Sequence, residues 1–202
     1  MQALLFEMKP RDGHEEHYFT HAAALRPILM QHEGLLFIER YKSLTRPGVI
    51  LSHSLWRDEA SIARWRSNQD HHKSQIAGRY KHFEDYRIRI SHALEHHTET
   101  GHQEQWAMAG MYADESNAVD RYITIIRSRT RPETDQGDVF ESVSDANSFL
   151  GIADFVEQEA GRASLVNAQD DDTISSVLAK VSRDYGMYDR AEAPQYFKPI
   201  ES

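Results

Sequence analysis

A tryptophan and two imidazoles lie close together between positions 65 and 72. Trp65 is followed after six and seven residues by His71 and His72. A tryptophan can wall a pocket or stack on a planar ligand. An inward-facing neutral imidazole can take a proton from a substrate or ligate iron. Adjacent residues on a helix point about 100° apart, so His71 and His72 cannot both face one pocket. The competing readings are a core tryptophan and a histidine that caps a helix or binds a sheet edge. Further along, Arg87 and Arg89 alternate with Tyr86, Ile88 and Ile90. Facing a cavity, Arg87 would hold a carboxylate or propionate; otherwise these arginines form salt bridges at an inter-domain seam.

Histidine recurs elsewhere among the twelve in the chain. His17 and His21 are four apart, with His14 one turn earlier, and His92 and His96 repeat the interval. On a helix that spacing can hold a divalent ion. No Asp or Glu is clearly placed as a third ligand, and a wet helix face is the favoured reading.

The elements that must position these residues follow from periodicity. Positions 3–10 are a short apolar run stopped by proline, a strand. From His14 to His32, Tyr18, Ala22, Leu25 and Leu29 form one helical stripe, interrupted at Pro27. Strands follow at 35–43 and 49–56, joined by a Pro-Gly turn. Arg57 and Asp58 open a helix with acidic residues at its start, and Ile62 and Trp65 share one side of it. A second helical piece begins near Asp70, the expected N-cap. "FEDYRIRISHA" returns to strand. The order β-α-β-β-α-β over about 90 residues is the ferredoxin-like arrangement, whose sheet is open on one face and needs a cover.

Positions 97–119 are expected to be a linker. Beyond it come strands at 121–130, "DVFESVS" and "NSFLGIADF", then a helix at 156–168. "DDDTISSVLAKVSRDYG" is expected to be a further helix, capped by Asp172 or Thr173 and ended by Gly186. The expected fold is α+β: residues 1–96 form one ferredoxin-like domain, and 120–202 form a degenerate second copy lacking the first long helix. The two would cover each other's sheets as a pseudo-dimer. An unrelated C-terminal α+β domain is the alternative.

Composition narrows the function. The chain has 202 residues, 40% hydrophobic and 27% charged, with net charge −9. An acidic chain lacks the basic surface that nucleic acid requires. With no cysteine there is no disulfide or thiolate chemistry, and a reducing, cytoplasmic setting fits. No apolar run approaches a membrane span, and the N-terminal residues read as a first strand rather than a leader. Phosphate loops, nucleophile elbows and metalloprotease motifs are absent.

The segments "HEGLLFIERYKSLTRPGVILSHSLWRDEASIARWR" and "HHKSQIAGRYKHFEDYRIRI" resemble the antibiotic biosynthesis monooxygenase (ABM) domain, a dimeric α+β barrel family that includes heme-degrading enzymes. The resemblance covers positions 1 to about 92. It rests on Gly34, Trp56, Trp65, the run His71, Gln75, Gly78 and Arg79, and the triplet Asp85, Tyr86 and Arg87. It implies a monooxygenase acting with O2 on heme or a small aromatic substrate. Trp65 and His71 would be catalytic, His71 the heme-iron ligand, and His71, His72 and Arg87 the binding groups. A homodimer is also open. The heme-degrading branch carries its axial histidine where this chain has Gln75, and an asparagine in the first strand where this chain has Phe6 and Glu7. Heme, or no cofactor, are both open, as are a non-catalytic ligand-binding module and an assembly protein.

Overall fold

A computed structural model describes residues 1–100, 103–105, 121–132 and 137–200. The chain begins with strand β1 (Gln2–Pro10), helix α1 (Glu15–Leu29), strands β2 (Leu35–Ser43) and β3 (Ile50–Trp56), and helices α2 (Glu59–Arg66) and α3 (Gln69–Ala77). A π-helical turn at Gly78–His82 feeds β4 (Phe83–Thr98). Then come β5 (Gln103–Gln105), β6 (Tyr122–Ser128), β7 (Asp138–Ser142), β8 (Phe149–Phe155), α4 (Gln158–Asn167) and β9 (Thr173–Gly186).

The first four long strands pair antiparallel in the order β4-β1-β3-β2, the ferredoxin-like order. The later strands pair as β9-β6-β8-β7. The two sets join through β2–β7 and β4–β9, so the ladder closes on itself and leaves no open edge among these eight strands. One parity of each strand fills the interior. Ala3, Leu5, Leu51 and Ala93 from the first set meet Ile123, Phe140, Leu150 and Val177 from the second. The open face of the first sheet is thus covered within the same chain. Glu7 and Arg89, 3% and 2% exposed, form a buried ion pair on this interior side (2.8 Å).

The other parity of the first sheet faces α1, α2 and α3. Leu4, Ile88, Ile90 and Trp56 pack there with Leu29, Ile62 and Trp65. Asp58 caps α2 by accepting from the Ser61 amide and hydroxyl, both at 2.7 Å. Gly34 comes so close to Ser61 that a Cβ would lie 2.3 Å from the serine Cβ. Close approach is therefore what requires glycine here.

Three expectations change. The segment expected to be a second C-terminal helix is β9, a central strand between β4 and β6. Its neighbours fall alternately on two buried faces. Leu178 packs beneath Leu165 of α4, while Val177, Ala179 and Val181 enter the barrel. Such a run has no helical stripe to distinguish it. The acidic residues expected as a cap instead make a turn, in which Asp170 accepts from the Asp172 amide and the Thr173 hydroxyl. The N-cap of α3 is Asn68 rather than Asp70, accepting from the amides of Asp70 and His71, each at 3.1 Å. The expected linker at 97–119 begins as the end of β4 and contains β5, which pairs with positions 95–97. Positions 101–102 and 106–119 of that linker lie outside the described residues. No helix among the described residues is long and apolar enough to cross a membrane.

Candidate active site

A cavity of about 200 Å³ lies between the helices and the outer face of the first sheet. Leu4, Phe6, Ile38, Ile88 and Ile90 form its floor. Tyr18, Leu25 and Leu29 of α1 and Ile62 and Trp65 of α2 form its walls. Such an interior excludes water and favours apolar ligands. The C-terminal segment contributes Arg190, Gln195 and Phe197, and β9 contributes Tyr185.

The Asn68 cap starts α3 so that its first turn folds back on α2. His71 then stacks flat on Trp65, with ring centroids 4.4 Å apart and planes 16° apart. His71 Nδ1 is 3.0 Å from the Trp65 carbonyl oxygen. A carbonyl only accepts, so Nδ1 carries the proton and Nε2 keeps its lone pair. Burial lowers the imidazole pKa to about 4, against a smaller opposing pull from that carbonyl. His71 is therefore neutral at pH 7, with a fixed tautomer. Trp65 is 8% exposed and also packs on Trp56 and Ile90, so its core and pocket roles coincide.

Several lining groups carry hydroxyls or positive charge. Arg40 Nε donates to the Tyr18 hydroxyl (3.2 Å), and burial raises the Tyr18 pKa. The Tyr86 hydroxyl accepts from Arg79 Nη1 (3.1 Å) and Arg190 Nη1 (3.0 Å). Arg190 also donates to the Gln195 carbonyl, fastening the C-terminal segment over the cavity. No Asp or Glu is among the described lining residues.

The comparisons with known proteins bear on this geometry. The family model described as antibiotic biosynthesis monooxygenase matches residues 1–86. A Pyricularia oryzae protein called jasmonate monooxygenase ABM is 32% identical over 220 residues, covering 98% of this chain and 99% of its own length. The chain belongs to the antibiotic biosynthesis monooxygenase family. Among solved structures, a candidate antibiotic biosynthesis monooxygenase from Deinococcus radiodurans is 14% identical, with TM-score 0.42, over 55% of this chain and 99% of its own. A candidate monooxygenase from Fusobacterium nucleatum is 7% identical, with TM-score 0.45, over 91% and 93%.

Within this ABM monooxygenase, Trp65 and His71 come together in the cavity. His72 does not join them: it is exposed, 3.3 Å from Gln75 Oε1, with its ring near Phe197. Arg87 lies on the other face of β4, where its guanidinium grips Asp184 at 2.9 and 2.6 Å. That outcome matches the salt-bridge reading of the alternating arginines. Phe6 faces the cavity, whereas Glu7 points to the interior and its buried pair with Arg89.

Heme is one cofactor that the family resemblance leaves open. A cavity of about 200 Å³ is below the roughly 300 Å³ at which drug-sized ligands begin to be held, and a porphyrin is larger than those. In these side-chain positions the cavity is smaller than a porphyrin, and Gln75, which stands where the heme-degrading branch carries its axial histidine, lies 3.3 Å from His71 Nδ1.

His17 and His21 lie on α1, where His14, His17 and His21 gather around His82 with ring centroids 5.0–5.7 Å from it. His92 and His96 lie on β4, where four residues span about 13 Å, so the helical pairing does not exist. No group of three His, Cys, Asp or Glu among the described residues is arranged to hold a metal ion.

Sequence reasoning missed Tyr18, Arg40, Arg66, Tyr185 and Arg190 as lining residues. Tyr18 stands on the apolar stripe of α1, which is the available signal. Nothing local marks the last two, which reach the cavity from the far end of the chain.

Proposed function

We propose that the chain oxidises a small apolar or aromatic molecule with O2 in this cavity, using no bound cofactor. The observation that carries the reading is the neutral His71 imidazole, with its proton held on Nδ1 by a backbone carbonyl, in an apolar cavity beside Trp65. In that state Nε2 takes a proton from an acidic C–H of the substrate and leaves a carbanion for O2 to oxidise. Conversion of a CH2 group to a carbonyl by O2, with release of one water, balances without added reductant. Trp65 fixes the imidazole plane and gives an aromatic substrate a face to stack on. The Pyricularia relative makes jasmonate one compound to screen.

The second half is read as a reduced copy of the first, which supplies the barrel cover that a second subunit would otherwise provide. Support comes from the matching strand orders β4-β1-β3-β2 and β9-β6-β8-β7.

O2 uptake across a panel of small aromatic and cyclic ketone substrates tests the function. With an active substrate, His71→Ala should lower kcat by about 10²-fold or more while a product analogue still binds. Unchanged kcat in His71→Ala would exclude the histidine as base. A sharp, His71-dependent Soret band on hemin titration would overturn the cofactor-free reading.

A further inference from the structure

Among the described residues the cavity is lined by three arginines, Arg40, Arg66 and Arg190, and by no carboxylate, in a chain whose net charge is −9. Arg40 and Arg190 are used: one donates to Tyr18, the other to Tyr86 and to backbone carbonyls. Arg66 differs. Its Nη1 is shielded from solvent and meets no acceptor among the described residues. A guanidinium stays charged at any working pH, and burying its N–H groups without acceptors is costly. Such a group needs an explanation, and an anion in the cavity supplies one.

Tyr185 gives a second mark. It also lines the cavity, and the charges of Arg183, Arg66 and Arg190 all act on its hydroxyl. Burial outweighs them and raises its pKa, so the phenol remains a proton donor. Arg183 is neutralised by Glu59, while Arg66 pairs with no such carboxylate among the described residues. The apolar cavity thus holds an unpartnered guanidinium N–H, at Arg66, together with a phenol donor, at Tyr185.

We propose that Arg66, acting with the Tyr185 hydroxyl, is the anion anchor of the cavity, and that the molecule it takes is a small apolar carboxylic acid. The carboxylate lies in the guanidinium fork, and the hydrocarbon body lies along Trp65, Ile62 and Ile90. This rests on the reading of the cavity as the substrate site and assigns Arg66 the role that spacing had suggested for Arg87.

Calorimetric titration with 1-naphthoate and its methyl ester tests it without requiring turnover. Wild-type protein should bind the acid about tenfold or more tighter than the ester, the scale of a charge-assisted pair. Arg66→Gln should bring the two within about twofold, and Arg66→Lys should keep part of the preference. Equal binding of acid and ester by wild type, or a preference that persists in Arg66→Gln, overturns the anchor. The wild-type comparison holds even if the glutamine variant does not fold. Leu25→Trp, which fills the cavity, should remove binding of both forms. Binding of both that is lost in Leu25→Trp but shows no acid preference rejects the anchor and keeps the cavity. Binding indifferent to Leu25→Trp, or no binding of either form by wild type, rejects both.

Discussion

His71 is held in one protonation state by two groups of Trp65 in the preceding helix: its carbonyl accepts a hydrogen bond from Nδ1–H and its ring covers the imidazole face. Because burial lowers its pKa to about 4, the base is ready throughout the neutral range. Below that value it is protonated and cannot accept. The acid limb of kcat/KM should therefore fall near pH 4 rather than near 6.5, the ordinary histidine value. An NMR titration of the His71 ring should give the same midpoint; a midpoint near 6.5 would refute the buried, neutral state. Trp65 and His71 were singled out in the sequence by the resemblance to the ABM family, since core and capping readings were equally open to them, and both line the cavity. Arg66 was not. A lone arginine at the end of a polar helix has the same local pattern whether it points to solvent or into a cavity, and only the position of β9 decides.

At the scale of elements, short helices depend on their ends. The α2 helix has eight residues, too few to be stable alone. Asp58 fixes its start, and the bonds from Ser61 lower its carboxyl pKa to about 2. Asp58→Ala should cost about 1 kcal/mol, the usual worth of a cap, as a lower urea midpoint with unchanged slope. The carboxyl is half-exposed, so screening discounts anything its shift adds. What it does add is present above pH 3.8 and lost as pH falls towards 2. Gly78, where α3 passes into the π-helical turn, is a second constraint. A Cβ there would lie 2.5 Å from the Phe83 ring, which lines the cavity. Gly78→Ala should destabilise by about 1–3 kcal/mol and weaken ligand binding as Phe83 shifts; unchanged affinity would show that the ring finds room. The elements α1, β2, β3, α2 and β4 were readable from a helical stripe, an alternation or an apolar run bounded by turn signals. The π-helical turn has no such signature, and β9 was misread because the acidic run before it has the residue types of a helix cap while its apolar residues lie on both faces.

The whole molecule shows why an acidic chain of this kind should be sensitive to mild acid. Closing eight strands around one interior traps polar groups that an open sheet would leave wet. His53 is 1% exposed, with neither ring nitrogen hydrogen-bonded among the described residues. Burial, with the Arg127 and His96 charges adding to it, lowers its pKa to about 3. Above pH 6.5 the histidine is neutral folded or unfolded, and the protein keeps its full stability. As pH falls below 6.5 the unfolded chain takes up a proton that the folded chain refuses, so stability declines until about pH 3. The slope is about 1.4 kcal/mol per pH unit for each such histidine, and His71 behaves alike down to about pH 4. Glu7 and Asp184, whose pKa values are lowered by their arginine partners despite burial, lose their contribution only further down, below the ordinary carboxylate range. The decline between pH 6.5 and 5 therefore belongs to the histidines. His53→Leu replaces two unsatisfied nitrogens with methyl groups of similar bulk. At pH 7.5 it should be neutral or stabilising by about 1 kcal/mol. At pH 5 it should gain a further 2 kcal/mol or so, because the leucine chain has no proton to refuse. Urea unfolding at the two pH values measures the difference directly. An advantage that does not grow at pH 5 would mean that His53 is protonated inside the barrel, and that the closed interior is wetter than its packing indicates.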